Sequence, residues 1–239
     1  MIPSDAFQAM VSGNVDRVPL SEANGRTAAV MIVPYPPGIP LIMPGEKFDT
    51  QRTPRLLEFL EIYNPTHTTV SLADWVLAGV GYDFASGTSI GPGEFVTLLP
   101  FDPVGDLESI ARFETTYQVD IPDSGQATSR HFFGPYVGRL ANDGERLTLF
   151  RADESPPETP SIIPLVIEDR LDFDDVAPWS TTADGGGQSL HRQGTHLWAG
   201  DASHWISGRP SPGSFGPGIH AVASNQIVIG EVGNELGVT

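Results

Sequence analysis

The chain has 239 residues, a formal charge of −17 and no cysteine. The missing cysteines exclude disulfides, thiol catalysis and Cys-ligated zinc. The acidity, with no basic stripe to offset it, excludes a nucleic-acid backbone as partner. Read in chain order, Asp5 to Val11 predicts a short helix: Pro3 and Ser4 precede it, Ala6, Phe7 and Met10 share an apolar face, and Gly13 follows. Ala28 to Val33 is an apolar run. It ends in Pro34-Tyr35-Pro36-Pro37-Gly38-Ile39-Pro40, whose prolines fix φ and remove donors, so a rigid extended loop is expected there.

From Leu56 onward the signals are β. Glu58 to Tyr63 is a strand closed by Asn64-Pro65, a turn starter. Thr68 to Leu77 is a second strand with a bend near Asp74, and its alternation predicts a buried Trp75. Glu94 to Leu99 is a third, opened by Gly91-Pro92-Gly93. Asp106 to Tyr117 reads as a short helix, and Leu140 to Phe150 as a hairpin turning at Asn142-Asp143-Gly144. Glu154 to Pro160 is a Pro-rich surface loop. Ile162 to Ile167 and Asp169 to Phe173 are further strands, with Leu171 and Phe173 inward and Asp172 and Asp174 outward. Short strands at this spacing make the fold mainly β, a sandwich over 55–215, with a small irregular α+β segment before it and a Gly-rich tail or linker over 216–239.

No apolar run approaches the roughly 18 residues of a membrane-spanning helix. The start, Met1-Ile2-Pro3-Ser4-Asp5, lacks the basic and apolar regions of a signal peptide. The six histidines invite a metal reading, but His191, His196 and His204 have spacings that match no common zinc motif, and His67 and His131 lie in turns. Glu168, Asp169, Asp172, Asp174 and Asp175 are acidic without the Asp-x-Asp-x-Asp-Gly pattern of a calcium loop. Asp184-Gly185-Gly186-Gly187 lacks the Lys-Ser/Thr that follows in a phosphate cradle. Trp75, Trp179 and Trp205 read as packing groups rather than a ligand platform. No residue is expected to be catalytic, cofactor-binding or metal-ligating.

Two resemblances divide the chain. Glu58 to Pro65, Val70 to Leu77 with its Leu72-Ala73-Asp74-Trp75, Gly87 to Glu94, Gly134-Pro135-Tyr136, Leu140 to Leu147, Phe173 to Trp179, Ala183 to Leu190 and Ser203-His204-Trp205 together resemble a bacterial lamin-tail domain. That resemblance implies an immunoglobulin-like β-sandwich. It implies a non-catalytic structural or binding module of a larger secreted bacterial protein, extracellular or at the cell surface, whose partner is a protein or a cell-surface ligand.

The segment 1–54 resembles something else. Asp5-Ala6-Phe7, Val18-Pro19-Leu20, Gly25-Arg26 and above all Val33 to Pro40 with Met43-Pro44-Gly45-Glu46 resemble the C-terminal region of the pyridoxal-phosphate-dependent ornithine/lysine/arginine decarboxylases. Leu56 to Glu61 fits both families, so the joint falls inside it. The alternative function implied is a C-terminal decarboxylase fragment carrying a foreign domain and catalytically incompetent alone. Decarboxylation of this type needs a lysine to form the imine with the cofactor. The single lysine, Lys47, lies where the family does not place that residue. Ser189-Leu190-His191-Arg192 echoes a Ser-x-His-Lys cofactor motif, but an arginine cannot take the lysine's part.

Overall fold

The computed structural model describes residues 3–17, 26–30, 44–45, 58–122, 130–141, 144–159, 161–183, 187–216, 218–219 and 221–233. The chain divides into two units, Met1–Leu56 with Gly237–Thr239, and Leu57–Leu236. In the first, the expected helix is present as α1 (Pro3–Val11), with Asp5 in its first turn. Gly13, at φ 74°, follows it and donates to the Met10 carbonyl. Of the expected apolar face, Ala6 is buried but Phe7 is exposed. Ala28 is buried and its carbonyl accepts from the Gly45 N–H at 2.8 Å. Val30 is exposed, and residues 31–33 of the apolar run, the proline loop over 34–40 and Lys47 lie outside the described residues.

The second unit is mainly β. Its strands are β1 (Phe59–Tyr63), β2 (Val70–Ser71), β3 (Val76–Ala78), β4 (Tyr82–Asp83), β5 (Ser89–Ile90) and β6 (Phe95–Leu98). After the helix α2 (Leu107–Tyr117) come β7 (Arg130–Phe133), β8 (Glu145–Ala152), β9 (Leu165–Phe173), β10 (Ser189–Arg192), β11 (Trp205–Gly208) and β12 (Val228–Gly233). One sheet runs β11-β10-β12-β1-β6-β7, a second runs β4-β3-β8-β9, and β2 pairs with β5. Side chains of both larger sheets enter one core. Leu60, Ile62, Val96, Leu98, Leu190, Ile229 and Val232 come from the first, and Leu77, Leu147, Leu149 and Leu171 from the second. Trp75 is in that core, 3% exposed, as its alternation predicts.

Strand β1 is buried on both faces. Leu60 and Ile62 enter the shared core, while Phe59 packs with Phe113 and Tyr117 of α2 and Tyr63 with Phe95. β6 and β7 are parallel, so they need a crossover rather than a hairpin, and α2 lies in it. Asp106 caps that helix by accepting from the Ser109 N–H at 3.1 Å, and Gln118 ends it in the left-handed region at φ 55°. Phe113 has no exposed surface. Its replacement by Ala therefore lowers stability by about 3–5 kcal/mol, whereas Phe7→Ala leaves it nearly unchanged; thermal unfolding of the two variants distinguishes them.

Four expectations change. The segment 216–239 is not all tail: β12 sits between β1 and β10, and its valines and isoleucine are buried. The hairpin over 140–150 does not form among the described residues. β8 pairs with β3 and β9, while the Leu140 N–H goes to a carboxylate of Glu58. The two strands over 162–173 are one, β9, with a register shift opposite Leu149 and Phe150 that leaves Glu168 as the extra residue. The strand over Thr68 to Leu77 is split into β2 and β3 by a turn at Asp74, which has φ 60°.

Candidate functional site: a buried polar row

The strand register aligns four polar side chains. His191 on β10 is opposite Glu231 on β12, Glu231 is opposite Glu61 on β1, and Glu61 is opposite Thr97 on β6. All four are buried. Burial of a charge is costly without partners, and each has them. Glu231 accepts from Ser189 Oγ at 2.5 Å, Ser211 N–H at 3.0 Å and Ser211 Oγ at 2.7 Å, and its Oε2 lies 3.3 Å from His191 Nδ1. Glu61 accepts from Thr97 Oγ1 at 2.7 Å and from the Gly213 N–H. His191 Nε2 is 3.1 Å from the Arg209 carbonyl.

Burial disfavours a charged His191, but the hydrogen bond and charge of Glu231, with the carbonyls of Gly208 and Arg209, outweigh it and raise its pKa above the ordinary value. When protonated, the ring donates from Nδ1 to Glu231 and from Nε2 to Arg209. Ser189 Oγ is also 3.1 Å from His191 Nε2, so Ser189, His191 and Glu231 have the connectivity of an acyl-transfer triad. The Ser189 proton is held by Glu231, Ser189 has no exposed surface, and residues 209–216 cover the row.

Two other buried charged groups brace the unit. Arg192 Nη1 meets Asp169 Oδ2 at 2.5 Å, and that oxygen also accepts from the Ile229 N–H at 2.8 Å. The neighbouring Glu168 accepts from the Ile227 N–H at 3.0 Å. The irregularity in β9 thus aims two acids at the start of β12. Asp169 lies on the inward face of β9 with Leu171 and Phe173, and it is buried. Near the start of β1, Glu58 Oε2 accepts from the Leu140 N–H at 2.8 Å and Tyr136 OH at 3.1 Å. Its Oε1 has no hydrogen-bond partner among the described residues. Burial raises the Glu58 pKa, and the hydrogen bonds only partly oppose it.

A carboxyl whose folded pKa is raised binds its proton more tightly in the folded state. Its contribution is complete below the ordinary carboxylate value and is lost as pH rises through the folded value. Glu58→Gln therefore leaves stability near pH 4 little changed and raises it near pH 8, flattening that part of the profile; urea unfolding at the two pH values checks this.

The remaining candidates are dispersed. His67 and His196 are exposed. His131 pairs with Glu94 at 3.1 Å, and His204 Nδ1 bonds the Trp198 carbonyl at 2.8 Å. Among the described residues no group of three His, Asp or Glu is arranged to hold a metal ion. Asp172 and Asp174 do face outward; Asp172 pairs with Arg146 and Arg170. Residues 184–186 lie outside the described residues. Trp205 is buried and packs near Trp179, with ring centroids 6.3 Å apart, while Trp198, not singled out by sequence pattern, is 64% exposed. Among the described residues no helix is long and apolar enough to cross a membrane.

Residues 1–69 match the family described as "Orn/Lys/Arg decarboxylase, C-terminal domain". Lysine decarboxylase LdcA of Pseudomonas aeruginosa is 57% identical over 61 residues, which is 26% of this chain and 8% of that protein. The inducible lysine decarboxylase of Escherichia coli is 48% identical over 62 residues, 26% of this chain and 8% of that protein. Arginine decarboxylase of Bacillus subtilis is 50% identical over 46 residues, 19% of this chain and 9% of that protein. The chain thus spans under a tenth of the length of these relatives. No solved structure matches it.

The described residues do not fit pyridoxal phosphate. The single lysine, Lys47, lies outside them, and the arginine at the position of the Ser-x-His-Lys echo, Arg192, is buried and held by Asp169. The match reaches into the second unit: β1, the strand bonded to both β12 and β6, lies inside it.

Proposed function

We propose that this chain is a C-terminal piece of the ornithine/lysine/arginine decarboxylase lineage that carries a foreign β domain and does not decarboxylate amino acids by itself. The match of residues 1–69 to that family's C-terminal domain carries the reading. The single lysine, Lys47, lies where that family does not place its cofactor lysine, and an ion pair occupies Arg192; both support the lack of catalysis. Full-length chain is mixed with pyridoxal phosphate and then with lysine, ornithine or arginine. The reading predicts no imine absorbance band and no carbon dioxide release. An imine band lost in Lys47→Ala, or sustained release of carbon dioxide, would falsify it.

A second reading concerns the β domain: a lamin-tail-type module with an immunoglobulin-like sandwich, structural or binding in role, from a parent that is extracellular or at the cell surface. Three observations favour it. Two sheets share one core. Trp75 of the motif is buried in that core. Asn64 of the Asn-Pro motif is also buried, and its Nδ2 reaches the carbonyls of Thr68 and Ile90, each at 2.9 Å. Asn64→Ala would remove both donors, leaving the Thr68 carbonyl only the Thr66 hydroxyl, and a fall in stability of about 1–3 kcal/mol is expected in urea unfolding.

A further inference from the structure

The segment covering the polar row reads Arg209-Pro210-Ser211-Pro212-Gly213-Ser214-Phe215-Gly216. Pro210 and Pro212 have no N–H, so the early donors are those of Ser211 and Gly213. Each goes to a different buried glutamate, Ser211 to Glu231 and Gly213 to Glu61. The Arg209 carbonyl meets His191, and Phe215 packs on Tyr63 and Phe95 with ring centroids 4.6 and 4.9 Å away. At Gly216 a Cβ would come within 2.7 Å of the His191 ring, so only glycine lets the chain lie this close.

We propose that Arg209–Gly216 is a pH-released strap: it closes over the row while His191 is protonated and lets go when that proton leaves, uncovering Glu61 and Glu231.

The groups facing His191 set the direction. Ser189 lies on its own strand and Glu231 on β12; the carbonyls of Gly208 and Arg209 and the Ser211 side chain complete the surroundings. Beyond Glu231 lie Glu61 on β1, Thr97 on β6 and Tyr117 on α2, whose ionisation is pushed up by burial and then by the charge of Glu231. Arg192, the next residue, pairs with Asp169 of the other sheet and does not compensate. Arg209 is itself exposed. When His191 becomes neutral it keeps the Nδ1 proton that faces Glu231 at 3.3 Å; its Nε2 then turns a lone pair to the Arg209 carbonyl at 3.1 Å, and the positive charge beside the carboxylate is gone. Glu231 and Glu61, opposite each other across β12 and β1, then repel more strongly. The N–H bonds of Ser211 and Gly213 that hold the strap end on these two side chains.

The test is amide exchange by NMR on the full chain between pH 6 and pH 9, corrected for intrinsic rates, with the His191 ring titrated in parallel. Protection at Ser211 and Gly213 is expected to fall about tenfold or more, the equivalent of one pKa unit of coupling, with a midpoint that follows His191. Leu77 and Leu149 keep their protection. His191→Gln removes the pH dependence, and Gly216→Ala loosens the strap at every pH. Constant protection through the His191 titration overturns the proposal. So does a loss shared equally by Leu77 and Leu149, or a dependence that survives in His191→Gln. If neither variant folds, the comparison of the strap amides with the His191 titration in the unaltered chain decides alone.

Discussion

A chain ended at Phe215 does not fold its β unit: its circular dichroism lacks native strand signal and no cooperative thermal transition is seen. The reason is the place of β12. It is hydrogen-bonded to β1 on one side and β10 on the other, so its loss splits the six-stranded sheet. It also removes Ile229 and Val232 from the shared core and Glu231 from the polar row. Losing several buried side chains of this size costs about 2–5 kcal/mol each, and the total exceeds the roughly 5–15 kcal/mol that separates a folded domain from its unfolded chain. The opposite truncation is mild. A chain begun at Leu57 retains β1, and its melting temperature stays within a few degrees of the full chain's β-unit transition. A chain begun at Asn64 lacks β1 and behaves like the one ended at Phe215.

Asp169→Ala lowers stability by about 3–5 kcal/mol. It strands the guanidinium of Arg192, which is 5% exposed, and removes the acceptor of the Ile229 N–H. Arg192→Ala is comparable, because it leaves the Asp169 carboxylate buried with one fewer donor. The two losses are not additive: once one partner is gone, removal of the other relieves an unpaired charge. A double-mutant cycle by urea unfolding is expected to give a double variant less destabilised than the sum of the singles. Additive losses would mean that the pair contributes nothing as a pair.

Much of the β unit was legible in the sequence because it follows simple periods. β1 ends at Asn64-Pro65, β6 follows Gly91-Pro92-Gly93, and α2 starts one residue after its capping Asp106. The departures have physical causes. β12 reads Val-Ile-Gly-Glu-Val-Gly and follows a polar, Gly-rich stretch, so composition suggested a linker, whereas burial comes from its two neighbours in the sheet. β10 has four buried residues in succession, including Ser189, His191 and Arg192. Local pattern cannot anticipate polar burial on both faces when the partners lie 23 to 42 residues away. The single extra residue at Glu168 breaks the two-residue period inside β9, so one strand read as two. The polar row was missed for the same reason: Glu61, Thr97, His191 and Glu231 come from four strands, and only their register brings them together.

Native-state hydrogen exchange of the full chain tests most directly the claim that β1, within the decarboxylase-matching residues 1–69, is an integral strand of the β unit. Amides of Leu60 to Ile62 on β1, Val96 to Leu98 on β6 and Ile229 to Val232 on β12 should share one protection level, set by global unfolding. Amides of α1 in the first unit, Asp5 to Val11, should exchange far faster. Protection of β1 that is lost by a separate low-energy opening, with β6 and β12 still protected, would contradict the account.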